Sequence, residues 1–185
     1  MEIACLDLEG VLIPEIWIAF AEKTGIEGFN RTTRDEPNYD VLMNYRLNLL
    51  REHRLGINEI QSVIATLEPL EGAVGFVDWL RERFQVVILS DTFYEFASPL
   101  MKPLGYPTLL CHQLECAEDG SVLNYHLRQA NPKRQSIVAL KKLVVGFLVG
   151  EIGPFSEWYL YLLRPSLGGG CLALSCRAAD AHRLL

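Results

Sequence analysis

Three short, nearly uninterrupted apolar runs punctuate the chain. Residues 2–6 (Glu-Ile-Ala-Cys-Leu) end on Asp7-Leu8-Glu9-Gly10, Phe84-Gln85-Val86-Val87-Ile88-Leu89 stops at Ser90-Asp91-Thr92, and Leu143 to Val149 stops at Gly150-Glu151. Such runs, separated by helical segments, read as strands buried on both faces, as in a parallel sheet covered by helices. Residues 72–83 place Val74, Val77, Trp79 and Leu80 broadly at helical spacing and predict a crossover helix. Residues 134–142 repeat the pattern with Ile137, Val138 and Leu140, and their basic end, Lys141-Lys142, suits a helix C-terminus. Residues 14–67 hold several amphipathic stretches separated by Gly25, Gly28, Pro37 and Gly56. They are too long for a simple crossover and predict an inserted helical cap.

The expected fold class is therefore α/β, a parallel sheet with a helical cap. The core spans 1–13 and 71–142, the cap 14–70, and residues 143–185 are a strand followed by material of another character. Of the 40 charged residues, 34 lie in 1–142, and the rest of the chain holds only Glu151, Glu157, Arg164, Arg177, Asp180 and Arg183. No lysine follows Lys142, and six of the 14 glycines lie beyond it. Trp158, Tyr159, Tyr161 and Leu162 would add apolar surface that favours contact between copies of the chain, so a homo-oligomer is one expectation.

Composition narrows the function. A net charge of −6 without a Lys/Arg-rich run argues against nucleic acid or an anionic membrane as the main partner, since both need a cationic surface. Small anionic substrates remain compatible through a local site. An odd number of cysteines, five, and an N-terminus that reaches charge too early for a secretory core predict a reduced, cytoplasmic setting. The pairs Cys111/Cys116 and Cys171/Cys176 do not predict zinc, because residues five apart on a strand face opposite ways. His53, His112, His126 and His182 are scattered without ligand or triad spacing, and no role is predicted for them.

In an open parallel sheet, ligands bind beyond the carboxyl ends of the strands. There the three runs would gather Asp7, Glu9, Ser90 and Glu151, with Lys133 just before a helix. Two carboxylates two positions apart can divide labour, one attacking or holding a cation and the other exchanging protons. A hydroxyl and a lysine suit the oxygens of a transferring phosphoryl group, and a carboxylate cluster suits Mg²⁺. Each element alone fits a blander role. Asp-x-Glu after a strand is commonly a helix cap or solvated turn, Ser90 could cap the next helix, and Lys133 and Arg46 could be surface residues.

Taken in order, the motifs resemble the haloacid dehalogenase superfamily of phosphotransferases, and within it the phosphoserine phosphatase group, whose bifunctional members also phosphorylate homoserine. Asp7-Leu8-Glu9-Gly10-Val11-Leu12 matches the first motif, with Glu in place of the superfamily's usual second Asp. Val87-Ile88-Leu89-Ser90-Asp91-Thr92-Phe93 matches the second and Asn131-Pro132-Lys133-Arg134-Gln135 the third. Pro14-Glu15-Ile16-Trp17, Tyr39-Asp40-Val41-Leu42-Met43 with Arg46, and Leu70-Glu71-Gly72-Ala73 also resemble that group.

The resemblance implies a Mg²⁺-dependent phosphatase and phosphotransferase of serine and threonine biosynthesis, acting on phosphoserine and homoserine through an aspartyl-phosphate. It implies Asp7 as nucleophile and metal ligand, and Glu9 as general acid/base that also contributes to the metal shell. Ser90 and Asp91 would contact phosphate and substrate, Lys133 would steady the charge of the intermediate, and Glu15 and Arg46 would meet the substrate amine and carboxylate. The family's fourth motif, Gly-Asp-x-x-Asn-Asp, has no counterpart in Gly150-Glu151-Ile152-Gly153-Pro154-Phe155. A changed reading frame near codon 143, divergence to a non-catalytic member, or an active variant with Glu151 as metal ligand would each give this break. Loss of the motif implies turnover at least about a hundredfold below an intact relative. A non-catalytic subunit that binds a phosphorylated or amino-acid ligand is the alternative function.

Overall fold

The computed structural model describes residues 3–143, 147–148, 159–165 and 173–175, with side chains through Lys142. The first strand, β1 (Ile3–Leu6), leads into a tight loop and then α1 (Ile16–Thr24), a 3₁₀ turn at Glu27–Asn30, α2 (Tyr39–His53) and α3 (Ile57–Ile64). Next come α4 (Ala73–Arg81), β2 (Gln85–Phe93), α5 (Tyr94–Met101), β3 (Thr108–Cys116), β4 (Val122–His126) and α6 (Pro132–Leu143). Short strands β5 (Phe147–Leu148), β6 (Tyr159–Pro165) and β7 (Ala173–Ser175) follow. The sheet runs β4-β3-β2-β1-β6-β5, with β7 on β6. Its centre, β3-β2-β1, is parallel, and β4 joins β3 as an antiparallel hairpin.

Alternation along the strands divides the core between two faces. Ala4 and Leu6 of β1 and Val86 and Ile88 of β2 join the larger cluster, with Phe20, Leu47, Val77 and Phe96 from the helices. Ile3, Cys5, Val87 and Leu89 point the other way, onto Ile137 and Leu140 of α6. Burying each large side chain contributes about 1.5–3 kcal/mol, so the continuous apolar runs follow from helices on both faces. Burial also pushes the Cys5 thiol up to about 12, so it is a neutral core residue.

Three elements differ from the sequence expectation. Strand β2 runs on through Ser90-Asp91-Thr92 to Phe93, and its register with β3 shifts between Leu89 and Phe93, an irregularity of the kind that re-aims side chains next to active sites. Helix α6 begins at Pro132, so Lys133 lies in its first turn instead of before it. Proline is pre-organised for the first helical position, and Asn131 turns the chain into it at φ 46°. The third parallel strand expected over 143–149 is not the neighbour of β1. Leu143 closes α6, Phe147–Leu148 pairs antiparallel with β6, and β6 pairs antiparallel with β1. A bare β1 edge would leave backbone groups unpaired, and Tyr159–Pro165 offers seven residues to the ladder. Glu151 and Trp158 lie outside the described residues, as do the side chains of Tyr159, Tyr161 and Leu162.

The helices between β1 and α4 are clasped by the β3–β4 hairpin. Ile57 N–H donates to the Gly120 carbonyl (2.8 Å), Arg51 Nη2 to the Leu123 carbonyl (2.9 Å), and the Tyr125 hydroxyl to Asp40. Gly56 is needed at this seam, because a Cβ there would collide with the Gly120 carbonyl.

Candidate active site

The loop after β1 is built to present carboxylates. Gly10 adopts φ +69°, and the turn closes through its own N–H to the Ile13 carbonyl (2.8 Å) and Leu12 N–H to Leu8 O (2.8 Å). Asp7 is thereby left at the strand end, where Oδ1 accepts the Leu8 N–H (2.8 Å) and Oδ2 meets Lys133 Nζ at 2.6 Å. Lys133 also reaches Asp91 Oδ2 at 3.1 Å. A lysine in the first turn of a helix opposes the helix dipole, so its place there depends on these two carboxylates.

The charges shift as this geometry requires. Burial raises the Asp7 carboxyl above its ordinary value, against the opposing pull of Lys133 and the Leu8 amide. Burial also works against the Lys133 ammonium, but Asp7 and Asp91 more than offset it and hold the lysine charged. At Asp91 the cost of burial is outweighed by His112 and Lys133, and its carboxyl stays below the usual range.

Glu9 is turned toward α1. Its Oε2 accepts the Ile16 N–H at 3.0 Å, capping a helix whose own N-cap residue, Glu15, supplies no side-chain cap. The helix-cap role expected of an Asp-x-Glu pair is thus real, and it ties the loop to the helices above. Burial pushes the Glu9 carboxyl up to about 7, against the Thr92 hydroxyl and the Ile16 amide, with Glu15 and Asp7 adding to the rise. A carboxyl poised there exchanges protons at neutral pH.

Helix α2 supplies Arg46, which is buried with its guanidinium 4.7 Å from the Trp17 ring centre. Its Nη2 donates to the Arg31 carbonyl (2.8 Å), its Nε has no partner, and no carboxylate pairs with it among the described residues. Burial lowers it to about 10, while Tyr39, Glu9 and Glu15 favour its charge. Glu15 lies over Gly10, where a Cβ would come 3.3 Å from Oε1, and burial and Asp7 raise its carboxyl. Ser90 is buried, and its Oγ accepts the Thr92 N–H at 3.3 Å.

Lys133 therefore contacts both Asp7 and Asp91, with Glu9, Glu15 and Arg46 acting electrostatically beside them. Spacing missed two neighbours. Tyr39 donates its hydroxyl to the Asp91 carbonyl at 3.0 Å, and His112 places Nε2 3.7 Å from Asp91 Oδ1. Tyr39 lies in a segment that carried the family resemblance, whereas nothing in the spacing of His112 marked it. Asp7 and Glu9 offer oxygen donors to a hard cation, but among the described residues no group of three or more His, Cys, Asp or Glu side chains could hold a metal. Cys111 is buried and Cys116 exposed, both as free thiols.

No family model matches the chain. A phosphoserine phosphatase of Pseudomonas aeruginosa, ThrH, is 71% identical over 143 residues, covering 77% of this chain and 70% of the relative. The chain belongs to the phosphoserine phosphatase family. A phosphoserine phosphatase of Pseudomonas syringae pv. tomato is 70% identical over the same length, covering 77% of this chain and 60% of its own. A solved phospho-aspartyl intermediate analogue of phosphoserine phosphatase shares the fold at TM-score 0.62 and 19% identity, covering 76% of this chain and 70% of that one. A substrate-bound phosphoserine phosphatase gives the same TM-score at 20% identity. The phosphoserine phosphatase resemblance and the mixed α/β fold thus stand, and the 143 matched residues fit a match that stops short of the C-terminal quarter. No helix among the described residues is long and apolar enough to cross a membrane.

Proposed function

We propose that this phosphoserine phosphatase transfers the phosphoryl group of phosphoserine to Asp7, and from there to water or to the hydroxyl of homoserine. The observation that carries this reading is the contact of Asp7 with Lys133, which Asp91 shares, beside a Glu9 carboxyl that burial pushes up to about 7 and a buried Arg46 that no carboxylate pairs with among the described residues. In the first half-reaction an Asp7 carboxylate oxygen attacks phosphorus while Glu9, protonated, gives its proton to the departing serine oxygen. In the second, Glu9 takes a proton from water or homoserine as that oxygen attacks phosphorus, which frees Asp7. The Lys133 ammonium, held by both carboxylates, neutralises charge on the transferring group, and Ser90 with Asp91 would contact phosphate and substrate.

The helices between Pro14 and Leu70 act as the cap over a core of 1–13 and 71–142. From the cap, Arg46 takes the substrate carboxylate and Glu15 its amine, since a zwitterion needs one fixed charge of each sign. Mg²⁺ is the cofactor this reading carries, supplying further charge neutralisation at the phosphoryl oxygens when bound. Asp7 and Glu9 are its described oxygen donors and do not complete a site by themselves, so no step above depends on it. The setting proposed is cytoplasmic, within serine and threonine biosynthesis.

The test is phosphate release from phosphoserine with Mg²⁺, beside Asp7→Asn. Release lost in the variant supports the enzyme, and binding without release supports the ligand-binding alternative. Adding homoserine separates the two acceptors, because phosphate release then falls as phosphohomoserine forms.

A further inference from the structure

His112 is almost fully buried, at 2% exposure, on the strand that flanks β2. Parallel pairing sets it opposite Phe93, just past the register shift that carries Asp91. Its ring is held on two sides, edge-on to Tyr39 at 6.0 Å and tilted against Phe93 at 6.2 Å. Nδ1 accepts the Arg128 backbone N–H at 3.1 Å, and a nitrogen that accepts carries no proton. The proton of the neutral ring therefore sits on Nε2, 3.7 Å from Asp91 Oδ1. That is too long for a hydrogen bond, and it makes the proton-bearing nitrogen the ring atom that pairs electrostatically with the carboxylate. The other Asp91 oxygen holds Lys133, and Lys133 holds Asp7.

We propose that His112 is a positioning residue for Asp91, and through Asp91 for the Lys133 ammonium beside Asp7. The chain of contacts runs from the Arg128 backbone to the imidazole, to the Asp91 carboxylate, to the lysine. Each member leaves the next one fewer orientation. Tyr39 fixes the backbone of the same residue from the cap side by donating to the Asp91 carbonyl. Asp91, whose side chain is half-exposed, is thus approached at its backbone from α2 and at its side chain from β3. The functional consequence rests on the phosphatase reading above, whereas the placement of Asp91 does not.

Two variants divide the roles of the ring. His112→Asn keeps an acceptor where Nδ1 lies and loses the donor toward Asp91, while His112→Gln can place an amide N–H near Nε2. We expect His112→Asn to lower kcat on phosphoserine about tenfold, the smaller end of what losing an orienting partner costs a site residue. KM should stay within about twofold and His112→Gln within about threefold of the parent kcat. Melting temperatures within about 3 °C of the parent in both variants exclude a folding cause. Parent kcat in His112→Asn, or equal losses in both variants with lowered melting temperatures, would overturn the proposal.

A second measurement needs no turnover. Carboxyl ¹³C titration should show the Asp91 pKa rising in His112→Asn and holding in His112→Gln. An unchanged Asp91 titration in His112→Asn refutes the placement, even in a preparation that releases no phosphate. Absence of Asp7-dependent release in the parent chain refutes the phosphatase reading by itself, so the two failures are distinguishable.

Discussion

Replacing Glu9 by glutamine tests the environment of the carboxyl independently of catalysis. The fold lifts this group from an ordinary 4.5 to about 7, chiefly through burial. At about 1.4 kcal/mol per tenfold change in proton affinity, ionising Glu9 in the folded chain costs about 3 kcal/mol more than in the unfolded one. The native state binds the proton more tightly, so stability is full below 4.5, falls as pH rises from 4.5 to about 7, and stays low above. Glutamine keeps an oxygen for the Ile16 N–H and cannot ionise. The variant should therefore match the parent at pH 4 and exceed it by up to about 3 kcal/mol at pH 8. With a urea m-value of about 2 kcal/mol per molar for a chain of this size, the midpoint rises by about 1.5 M at pH 8. The assay is urea unfolding of both proteins in chelator at the two pH values, which subtracts the other titrating groups. A midpoint difference that is the same at pH 4 and pH 8 would refute a buried, proton-holding Glu9. Under the proposed mechanism, in which Glu9 protonates the leaving serine oxygen, the same substitution should cost about 10²–10⁴ in kcat.

Other substitutions probe the rest of the site. Lys133→Met leaves Asp7 and Asp91 without their shared cation and should lower kcat at least about a hundredfold. Arg46→Ala should raise KM for phosphoserine about thirtyfold or more, with phosphoethanolamine, which lacks the carboxylate, unaffected. Arg46→Lys should not restore it, because the planar fork and its stacking on Trp17 are lost. Gly10→Ala forces a Cβ into a left-handed turn at φ +69° and against Glu15, and should cost about 1–3 kcal/mol in urea unfolding.

How much of this was legible beforehand follows from where each signal lives. β1, the start of β2, α4 and α6 are written in local apolar pattern, because each buries a face against neighbours on both sides of the sheet. The β3–β4 hairpin was not legible as a unit. Thr-Leu-Leu-Cys-His-Gln-Leu-Glu-Cys has no clean period of two, and its strand state is set by pairing with β2 and β4. The exchange at β1, where β6 takes the place expected of 143–149, is likewise a matter of which segment can complete a ladder. Asp7, Glu9 and Ser90 follow from strand ends and Lys133 from its place before a helix at the same sheet edge, whereas Glu15 and Arg46 follow from family resemblance. Their spacing alone left helix caps and surface roles open, and Glu9 is in fact also a cap. His112 could not be found by spacing, since its partner lies 21 positions away on another strand.

The most direct test is to look for the phosphoryl group on Asp7. The protein is mixed with isotopically labelled phosphoserine, quenched in acid, digested and sequenced by mass spectrometry. Label on the peptide carrying Asp7, removable by hydroxylamine and absent from Asp7→Asn, is the result expected. Phosphate release without label on that peptide, label persisting in Asp7→Asn, or neither label nor release, would contradict a nucleophilic Asp7.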